Sequence, residues 1–595
     1  MQLGWIDWSI VGAAFAAYLA IGLWAGSSAS SDCEGYFLGG RAQPWWLLGI
    51  SMVATTFATD TPNLVTGIVR EHGVAGNWLW WAFLLTGSVT TFLFAKLWNR
   101  SGMLTDIEFY ELRYSGRPAT FLRGFRAVYL GVFFNVFIMA NVTLAAIKIG
   151  GVLLGLDPVV SVTVAAGVTL VYSAVGGLTG VLLTDLVQFA VAMVGSVGAA
   201  IYVLGLPEVG GLGALMARPE VAAVRPILPD PAAMSRDAFL ALCVLPLAVQ
   251  WWSSYYPGAE PGGGGYVVQR ILAARDERHA TGATLLFNVM HYAVRPWPWI
   301  LVAFASLAVF PTVESLRLAY PDLDPRYVHH DLAYPAMLSR LPPGLLGLVA
   351  ASLIAAYMST MSTQVNWGSS IIVNDIYRRF IEPDASQRRL VWVGRLATVG
   401  LMSAACCLAL VLRDALSSFQ ILLQIGAGTG MLLMLRWFWW RINAAAEIAA
   451  MVVSFAVAAF FFVRAARDPA AVPPEWQQLL WGVGLTTAAS LLVTLLTPPT
   501  DRATLEAFWR KIRPAGPGWR RITAGLGAGP ETSPAGGSLP WAVVAAICST
   551  VGTWALTLGG GWLMYGDTAA ATIAALVAAV CAAVVWASWS RLGFE

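Results

Sequence analysis

The chain has 595 residues, of which 58% are hydrophobic and 12% are charged, with a formal net charge of +3 and a mean hydropathy of +0.67. Soluble globular domains carry about a quarter of their residues as Asp, Glu, Lys and Arg, so this composition excludes an ordinary soluble protein. It predicts an integral membrane protein, and so small a net charge gives no reason to predict a nucleic-acid partner.

Hydropathy windows predict about fifteen membrane-spanning α-helices, because a helix needs roughly 20 apolar residues to cross a hydrocarbon core of about 30 Å. The predicted fold class is therefore an all-α integral membrane protein. The predicted spans are 7–26, 45–67, 77–98, 125–153, 158–174, 180–204, 237–256 with a continuation to 273, 280–309, 344–375, 390–412, 416–440, 444–463, 476–496, 541–564 and 568–589.

The distribution of Lys and Arg predicts the orientation, because these residues are retained on the cytoplasmic side. An N-terminus outside the cell places about 23 of them in cytoplasmic loops and about 10 in the opposite loops. The richest cytoplasmic loops are 96–126, 269–279, 375–389 and 498–521. We therefore predict a multi-pass protein of the plasma membrane with its C-terminus in the cytoplasm.

Two of the spans are predicted to be broken. Span 45–67 contains MVATTFATDTPNLVTG with Pro62, and span 237–273 contains WWSSYYPGAEPGGGGYVVQR with Pro257 and Pro261. Backbone that leaves a helix at membrane depth must be buried in protein or line a cavity, since lipid offers no hydrogen bonds. The breaks lie five spans apart, which is typical of a five-plus-five inverted repeat with a binding site at its midplane. Each break alone is also compatible with a kink that serves packing.

This repeat predicts how the chain is divided. Five segments follow in chain order: an extra N-terminal helix with a cytoplasmic loop (1–44), the first repeat (45–204), an outside loop (205–236), the second repeat (237–440), and four additional helices with a cytoplasmic loop at 498–539 (441–595).

Four hydroxyl residues lie close together in the ninth span, in AASLIAAYMSTMSTQVNW. On a helix Ser359, Ser362 and Thr363 share one face, and Thr360 lies on the adjoining one. A hard cation such as sodium needs several oxygen ligands, and hydroxyls combined with carbonyls of an unwound segment supply them. The alternative is that these hydroxyls permit close helix packing or bond back to their own helix.

Two of the acidic residues within predicted spans are candidates for a functional role. Asp185 is costly in a membrane unless it binds a cation or a proton or pairs with a counter-charge, so it is a candidate functional residue. A salt bridge near the inner interface is the alternative. Asp60, at the first break, either shapes a solute pocket or caps the second half-helix at its positive end.

Five motifs, in order along residues 36–440, resemble the sodium/solute symporter family, which includes sodium-glucose cotransporters, proline permeases and sialic acid transporters. The motifs are YFLGGR, TDIEFYELRY, SAVGGLTGVLLTDLVQF, VVQRILAARD, and AAYMSTMSTQVN leading to NDIY. The resemblance implies a LeuT-type core formed by the second to eleventh spans.

The resemblance also implies sodium as the coupling ion. The first sodium site of the family, carried over by motif position, has as its ligands the carbonyls of Ala54, Phe57 and Ala356 and the hydroxyls of Ser359 and Thr360. The pattern of a second site, present in some members, is matched by Asp185, Ser359, Ser362 and Thr363. One sodium ion is therefore expected, and a second ion has a matching set of ligands.

The solute cavity is expected where the broken helices and their neighbours meet. Its predicted lining is Thr56, Thr59, Asp60, Thr61, Trp80, Tyr255, Tyr256, Glu260, Tyr266, His291 and Gln424. Tyr266 resembles the aromatic residue that covers the sugar in sugar carriers, and His291 stands where those carriers have a lysine. Trp80 departs from their glutamate. Aromatic faces favour a sugar, whereas His291 and Arg295 favour a carboxylate, so sugar, amino acid and carboxylate all stay open.

The function implied is sodium-coupled secondary active symport, importing a small polar organic solute by alternating access. The expected partners are the solute, sodium and the lipid bilayer, and the sequence leaves the oligomeric state open. One alternative is a membrane sensor that uses the same fold. Another is a membrane enzyme, for which HYAVR or the pair His329 and His330 would supply acid/base or metal-binding groups.

Overall fold

A computed structural model of the chain describes residues 3–27, 33–232, 234–253, 260–412, 426, 428–468, 472–526 and 539–594. These residues fold into helices, and among them the only extended pairing is an isolated bridge between Gln43 and Ala274. Helices suit an apolar chain because they satisfy the backbone hydrogen bonds within the segment. The predicted all-α class is confirmed.

We number the main helices α1 to α17 in chain order. They are α1 (Trp5–Ser27), α2 (Cys33–Leu38), α3 (Trp45–Thr56), α4 (Asp60–His72), α5 (Val74–Ser101), α6 (Gly116–Leu153), α7 (Pro158–Leu204), α8 (236–253), α9 (Gly265–Ala273), α10 (Glu277–Val309), α11 (Leu345–Ile381), α12 (Gln387–Ala409), α13 (Gly430–Phe438), α14 (Ala444–Arg467), α15 (Glu475–Leu496), α16 (Leu539–Met564) and α17 (Thr568–Trp589).

Eleven helical stretches in the described part of the chain are long and apolar enough to cross a membrane. Two predicted spans, 45–67 and 237–273, are interrupted, and predicted spans 158–174 and 180–204 are joined in α7. A further one, 416–440, lies partly outside the described residues. A multi-pass membrane protein is therefore confirmed, while the count of about fifteen spans stays a prediction.

The joined helix α7 changes direction at Gly177. This residue has φ of +54°, which L side chains rarely adopt, and a Cβ there would lie 3.2 Å from the backbone oxygen of Tyr36. Asp185 lies on the second half of α7, about 12 Å beyond this kink at a rise of 1.5 Å per residue. The kink therefore sets the direction of the segment that carries the intramembrane carboxylate.

Helices α3, α7, α10 and α11 form the centre of the molecule. Helix α3 packs against each of the other three, and α7 packs along α11. Gly49 permits the close approach of α3 to α10, since a Cβ there would lie 2.9 Å from the backbone oxygen of Ala283. This packing brings the first break and the hydroxyl cluster of α11 next to each other.

The C-terminal helices form two antiparallel pairs, α14 with α15 and α16 with α17. Helix α16 packs against α5 and α10. Two hydrogen bonds attach it there: Thr557 Oγ1 donates to the oxygen of Tyr292 at 3.0 Å, and Trp554 Nε1 donates to the oxygen of Trp81 at 3.2 Å. The pair α16–α17 is thus attached to the side of the central bundle.

A charged cluster joins α6 to the C-terminal end of α11. Arg123 contacts Glu111 at 2.7 Å and Asp375 at 2.6 Å, and Arg379 contacts Glu111 at 2.9 Å. Burial raises the pKa of Glu111, but hydrogen bonds from Arg379 and Arg123 outweigh burial and lower it to about 2. Glu111 therefore stays ionised at physiological pH, and the cluster holds these helix ends together.

Candidate ion and solute sites

The first predicted break lies between α3 and α4. Helix α3 ends at Thr56, α4 begins at Asp60, and Phe57 has φ −84° and ψ 62°, outside the helical region. The amide of Phe57 donates to the carbonyls of Val53 at 2.8 Å and Ala54 at 3.1 Å. Beyond that turn the helical ladder stops, so backbone oxygens become free to accept from other groups.

The broken segment contacts α11 at the level of its hydroxyl cluster. Thr360 Oγ1 donates to the oxygen of Thr55 at 2.8 Å and to that of Ala356 at 3.1 Å, and Thr59 Oγ1 donates to the oxygen of Leu353 at 3.1 Å. The structure thus joins the two segments that carry the residues predicted for the first sodium site, which are Ala54, Phe57, Ala356, Ser359 and Thr360. A buried hydroxyl that donates its proton to a carbonyl keeps lone pairs for a cation. This set of oxygen ligands therefore fits sodium.

Asp185 lies at the centre of a second polar cluster. Its Oδ1 accepts from Ser359 Oγ at 2.6 Å and its Oδ2 accepts from Ser51 Oγ at 2.5 Å. Ser362 lies one turn along α11, and its hydroxyl donates to the oxygen of Ser359 at 3.0 Å. All four side chains are buried. Ser359 therefore belongs to this cluster by its hydroxyl, and its assignment to the first sodium site stays a prediction.

A guanidinium group completes this second cluster. Arg270 donates to Thr363 Oγ1 at 2.7 Å and to Ser51 Oγ at 3.3 Å, and its terminal nitrogen lies 4.0 Å from Asp185 Oδ2. Arg270 and Asp185 are fully buried. The carboxylate thus has both the hydroxyl partners expected for an ion site and the counter-charge expected for a salt bridge.

A cavity of about 130 Å³ lies beside the first break. Aromatic rings form much of its wall, contributed by Trp80, Phe83, Tyr266, Phe287 and Tyr292. Its polar lining includes Thr55, Thr56, Asp60, Thr61, Asn141, His291, Arg295, Thr360 and Gln364. Apolar faces with a few polar groups are typical of sites for small solutes.

Six of the residues predicted for the solute site line this cavity: Thr56, Asp60, Thr61, Trp80, Tyr266 and His291. Their role in binding a solute stays a prediction. Tyr255, Tyr256 and Gln424 lie outside the described residues. Thr59 does not line the cavity, because its hydroxyl turns to the backbone of α11 at Leu353.

Glu260 also lies away from this cavity, in contrast to the prediction. Its carboxylate contacts Arg126 at 3.3 Å, within a buried charged cluster that also holds Arg436 and Glu447, 3.5 Å apart. The physical reason is that a buried carboxylate needs a counter-charge, and α6 supplies one. Glu260 therefore attaches the second broken segment to α6.

One end of the cavity is built from His291 and Arg295. His291 Nδ1 lies 2.9 Å from Thr56 Oγ1, and the Arg295 guanidinium donates to the oxygen of His291 at 3.2 Å and lies 3.1 Å from its Nε2. Arg295 also donates to the oxygen of Thr56, and it lies over the ring of Trp299 at 5.4 Å. These contacts engage Arg295 with the protein and tie α10 to the broken helix.

The lining of the cavity also includes several hydrogen-bond acceptors. Asp60 Oδ2 accepts from Asn141 Nδ2 at 3.2 Å. Three buried oxygens of residues that line the cavity have no hydrogen-bond partner among the described residues, namely Asp60 Oδ1, Asn141 Oδ1 and Gln364 Oε1. Buried acceptors left unpaired are unfavourable by about 1–3 kcal/mol each, so these residues favour a ligand that donates hydrogen bonds.

His329 and His330, raised for an enzymatic role, contact different partners. His329 is exposed and its Nε2 lies 3.2 Å from the oxygen of Arg326, while His330 accepts from Arg70 at 3.3 Å. Within the described ranges no three His, Cys, Asp or Glu side chains are grouped as ligands of one metal ion.

An all-helical membrane core, a broken helix whose carbonyls face hydroxyls, and an adjoining cavity with aromatic walls and a few polar groups are typical of a secondary transporter. The sodium:solute symporter family model matches residues 36–454, and the chain belongs to this family. The resemblance drawn from the five motifs is thereby confirmed, and with it sodium-coupled symport as the class of activity.

Named relatives and a solved structure support this assignment. The chain is 26% identical over 480 residues to a sodium/glucose cotransporter of Vibrio parahaemolyticus, covering 77% of this chain and 85% of the relative. It is 26% identical over 554 residues to a sodium/myo-inositol cotransporter of Mus musculus, covering 85% of this chain and 75% of the relative. The structure of a Na⁺-coupled sialic acid symporter in a substrate-bound outward-open state matches with a TM-score of 0.64 at 20% identity, covering 84% of this chain and 99% of that one. The LeuT-type fold is thereby confirmed.

Several polar residues at these sites were not singled out from the sequence. They are Ser51, Thr55, Asn141, Arg270 and Gln364. Ser51 and Thr55 lie one helical turn apart on α3, and this spacing indicates that they share a face. Arg270 stands within the quoted VVQR motif, but the motif does not indicate which residues Arg270 contacts. Asn141 and Gln364 had no local signal, because their role depends on which helices pack against the break.

Proposed function

We propose that this symporter imports a small polyhydroxylated solute together with sodium by alternating access across the plasma membrane. The observation that carries the proposal is that Thr55 and Thr360 line the solute cavity and also hydrogen-bond to each other at the break. An ion bound at this junction and a solute in the cavity would share a wall. Each would then stabilise the arrangement that the other needs, which is the basis of coupling.

The first sodium ion is proposed to bind the carbonyls of the break and the hydroxyls of α11, through Ala54, Phe57, Ala356, Ser359 and Thr360. A second ion is proposed beside Asp185, with Ser359, Ser362 and Thr363. Because Arg270 already lies 4.0 Å from Asp185, sodium at this second position would compete with the guanidinium for the carboxylate. The N-terminus is proposed to lie outside the cell and the C-terminus in the cytoplasm.

The choice of a polyhydroxylated solute rests on the charges of the cavity. Asp60 repels a carboxylate, and the nearby cation, Arg295, is engaged with His291 and Thr56. The unpaired acceptors favour hydroxyl donors, and the aromatic walls suit the apolar faces of a sugar or cyclitol. Relatives named for glucose and myo-inositol agree with this choice.

Thermal stabilisation of the purified protein tests the proposal. Sugars, cyclitols, amino acids and simple carboxylates are added with sodium or with choline as the replacement cation. A ligand at 100 times its dissociation constant stabilises the folded state by about 2.7 kcal/mol, so a bound solute is detectable. We expect stabilisation by at least one polyol, only with sodium. Stabilisation by carboxylates that lack hydroxyl groups would contradict the solute class, and binding without uptake into proteoliposomes would favour a sensor.

Replacing Asp60 by Asn is expected to weaken binding of the solute about 10- to 100-fold, because a hydrogen bond to a charged acceptor contributes about 1.5–3 kcal/mol. Solute titrations at saturating sodium measure the effect. Asp322→Asn, at an exposed position outside the cavity, is the matched control and should leave affinity unchanged. Equal affinities for wild type and Asp60→Asn would remove Asp60 from the solute site.

Replacing His291 by Ala is expected to lower solute affinity about tenfold, because His291 holds Thr56 and Arg295 at the wall of the cavity. Sodium affinity measured without solute should change less than twofold, since no proposed sodium ligand contacts the imidazole. Isothermal titration with each ligand separates the two effects, and His329→Ala is the exposed control. Equal losses for sodium and solute would assign His291 to packing.

A further inference from the structure

A large groove lies on the side of the molecule, between α10 and the C-terminal pair α16–α17. It has a volume of about 630 Å³, and its walls are mostly apolar, with Leu285, Val289, Leu556 and Val585 among them. Trp586 on its rim is 84% exposed and Leu556 is 45% exposed, so the groove opens outward from the protein. In a membrane protein such an opening faces the acyl chains of the bilayer.

The groove has the length of one lipid leaflet. It follows α10 from Arg278 to Val289, which is about 16 Å at a rise of 1.5 Å per residue. Half of a hydrocarbon core of about 30 Å is nearly the same length. Small residues of the C-terminal pair, including Gly552, Ala578 and Ala582, line it and leave room for a chain.

The end of the groove at the start of α10 carries a cation, Arg278. Arg278 is exposed, lines the groove, and has no acidic partner among the described residues; its guanidinium lies 6.0 Å from the ring centre of Phe594. The two acids beside it in sequence are already paired, Glu277 with Arg100 at 2.8 Å and Asp276 with Arg275 at 3.7 Å. Arg278 is thus placed to bind an anion at the membrane surface.

We propose that this groove binds one anionic phospholipid, with an acyl chain along α10 and α17 and the phosphate at Arg278. The apolar wall excludes a water-soluble anion as the main occupant, and a cation at only one end gives the lipid a single direction. A bound lipid would join the C-terminal pair to α10, which carries His291 of the solute cavity. The proposal depends on the membrane location of the chain and is independent of the solute.

Native mass spectrometry of the full-length protein, freed of lipid in detergent, tests this proposal. Dioleoylphosphatidylglycerol and dioleoylphosphatidylcholine are titrated separately, so the two probes share their acyl chains and differ only in the headgroup, which is anionic in the first and zwitterionic in the second. We expect one phosphatidylglycerol to bind about fivefold more tightly than phosphatidylcholine, the preference that one Arg near a membrane surface provides. Equal binding of the two lipids would overturn the proposal.

Variants test the contribution of the headgroup contact and that of the apolar groove separately. Arg278→Gln should abolish the fivefold preference, Arg278→Lys should retain it, and Arg388→Gln, at another exposed position, should retain it as well. Ala582→Phe fills the groove and should weaken both lipids at least fivefold, whereas Ala583→Phe, which is exposed but outside the groove, should weaken neither. Lipid binding here would be overturned if Arg278→Gln and Arg388→Gln had equal effects, or if Ala582→Phe and Ala583→Phe had equal effects. It would also be overturned if the wild-type protein formed a dimer that Ala582→Phe dissociates.

Discussion

Replacing Ser359 and Thr360 together by Ala is expected to raise the sodium concentration that half-saturates solute binding about 100-fold. The two hydroxyls are proposed ligands of the first ion, and each interaction with a charged partner contributes about 1.5–3 kcal/mol. Thr360 also bonds to the oxygen of Thr55 at 2.8 Å, so its loss loosens the contact between the break and α11. Solute titrations at a series of sodium concentrations measure the change.

A matched control is available on the same helix. Ser369 and Ser370 are buried on α11, and their hydroxyls bond back to their own helix at 3.1 and 2.7 Å. Their replacement by Ala removes the same number of buried hydroxyls away from the break. If the two double variants show the same sodium dependence, the proposed ligands of the first ion are wrong.

Much of the fold could be predicted from the sequence because the membrane restricts what an apolar chain can do. The break at Pro62 was predicted from a run of Thr and Asp residues that a lipid-exposed helix would not contain, and α3 does end at Thr56. Hydropathy windows separate spans 158–174 and 180–204 at the position where Gly177 turns the chain. They do not indicate that helical structure continues on both sides of this turn within α7.

For the candidate sites too, features that depend on local sequence could be predicted, and features that depend on tertiary packing could not. The spacing of Ser359, Thr360, Ser362 and Thr363 fixes their faces on any helix, so their grouping was predictable. Which groups meet those faces depends on packing. Arg270 reaches Thr363 across the bundle, and nothing within the VVQR motif indicates that contact.

Glu260 illustrates the limit of arguing from sequence position. It lies in the second predicted break, as Asp60 lies at the first, and both were expected to line the solute cavity where the broken helices meet. Their surroundings differ, because Arg126 lies 3.3 Å from Glu260, whereas the amide of Asn141 donates to Asp60 at 3.2 Å. The Glu260 carboxylate is engaged in a salt bridge, whereas Asp60 keeps a second carboxylate oxygen that can accept a hydrogen bond from a ligand.

Replacing Arg270 by Gln is expected to make the stability of the protein strongly sodium-dependent. The substitution leaves the fully buried Asp185 without its cation, and breaking a buried pair costs about 3–5 kcal/mol. If sodium binds beside Asp185, it replaces the lost charge, so Arg270→Gln should recover most of its stability in sodium but little in choline. Thermal unfolding in the two salts measures this difference.

Two further variants decide whether Asp185 binds an ion or only pairs with Arg270. The double variant Asp185→Asn with Arg270→Gln buries neither charge. Its stability should therefore return toward that of the wild type, and the extra sodium dependence seen in Arg270→Gln should vanish. Lys148→Gln breaks another buried pair, in which Lys148 contacts Asp331 at 2.6 Å, and it should be destabilised equally in sodium and choline. If Arg270→Gln behaves like Lys148→Gln, Asp185 is a structural partner of Arg270, and a single sodium ion at the first break must drive transport alone.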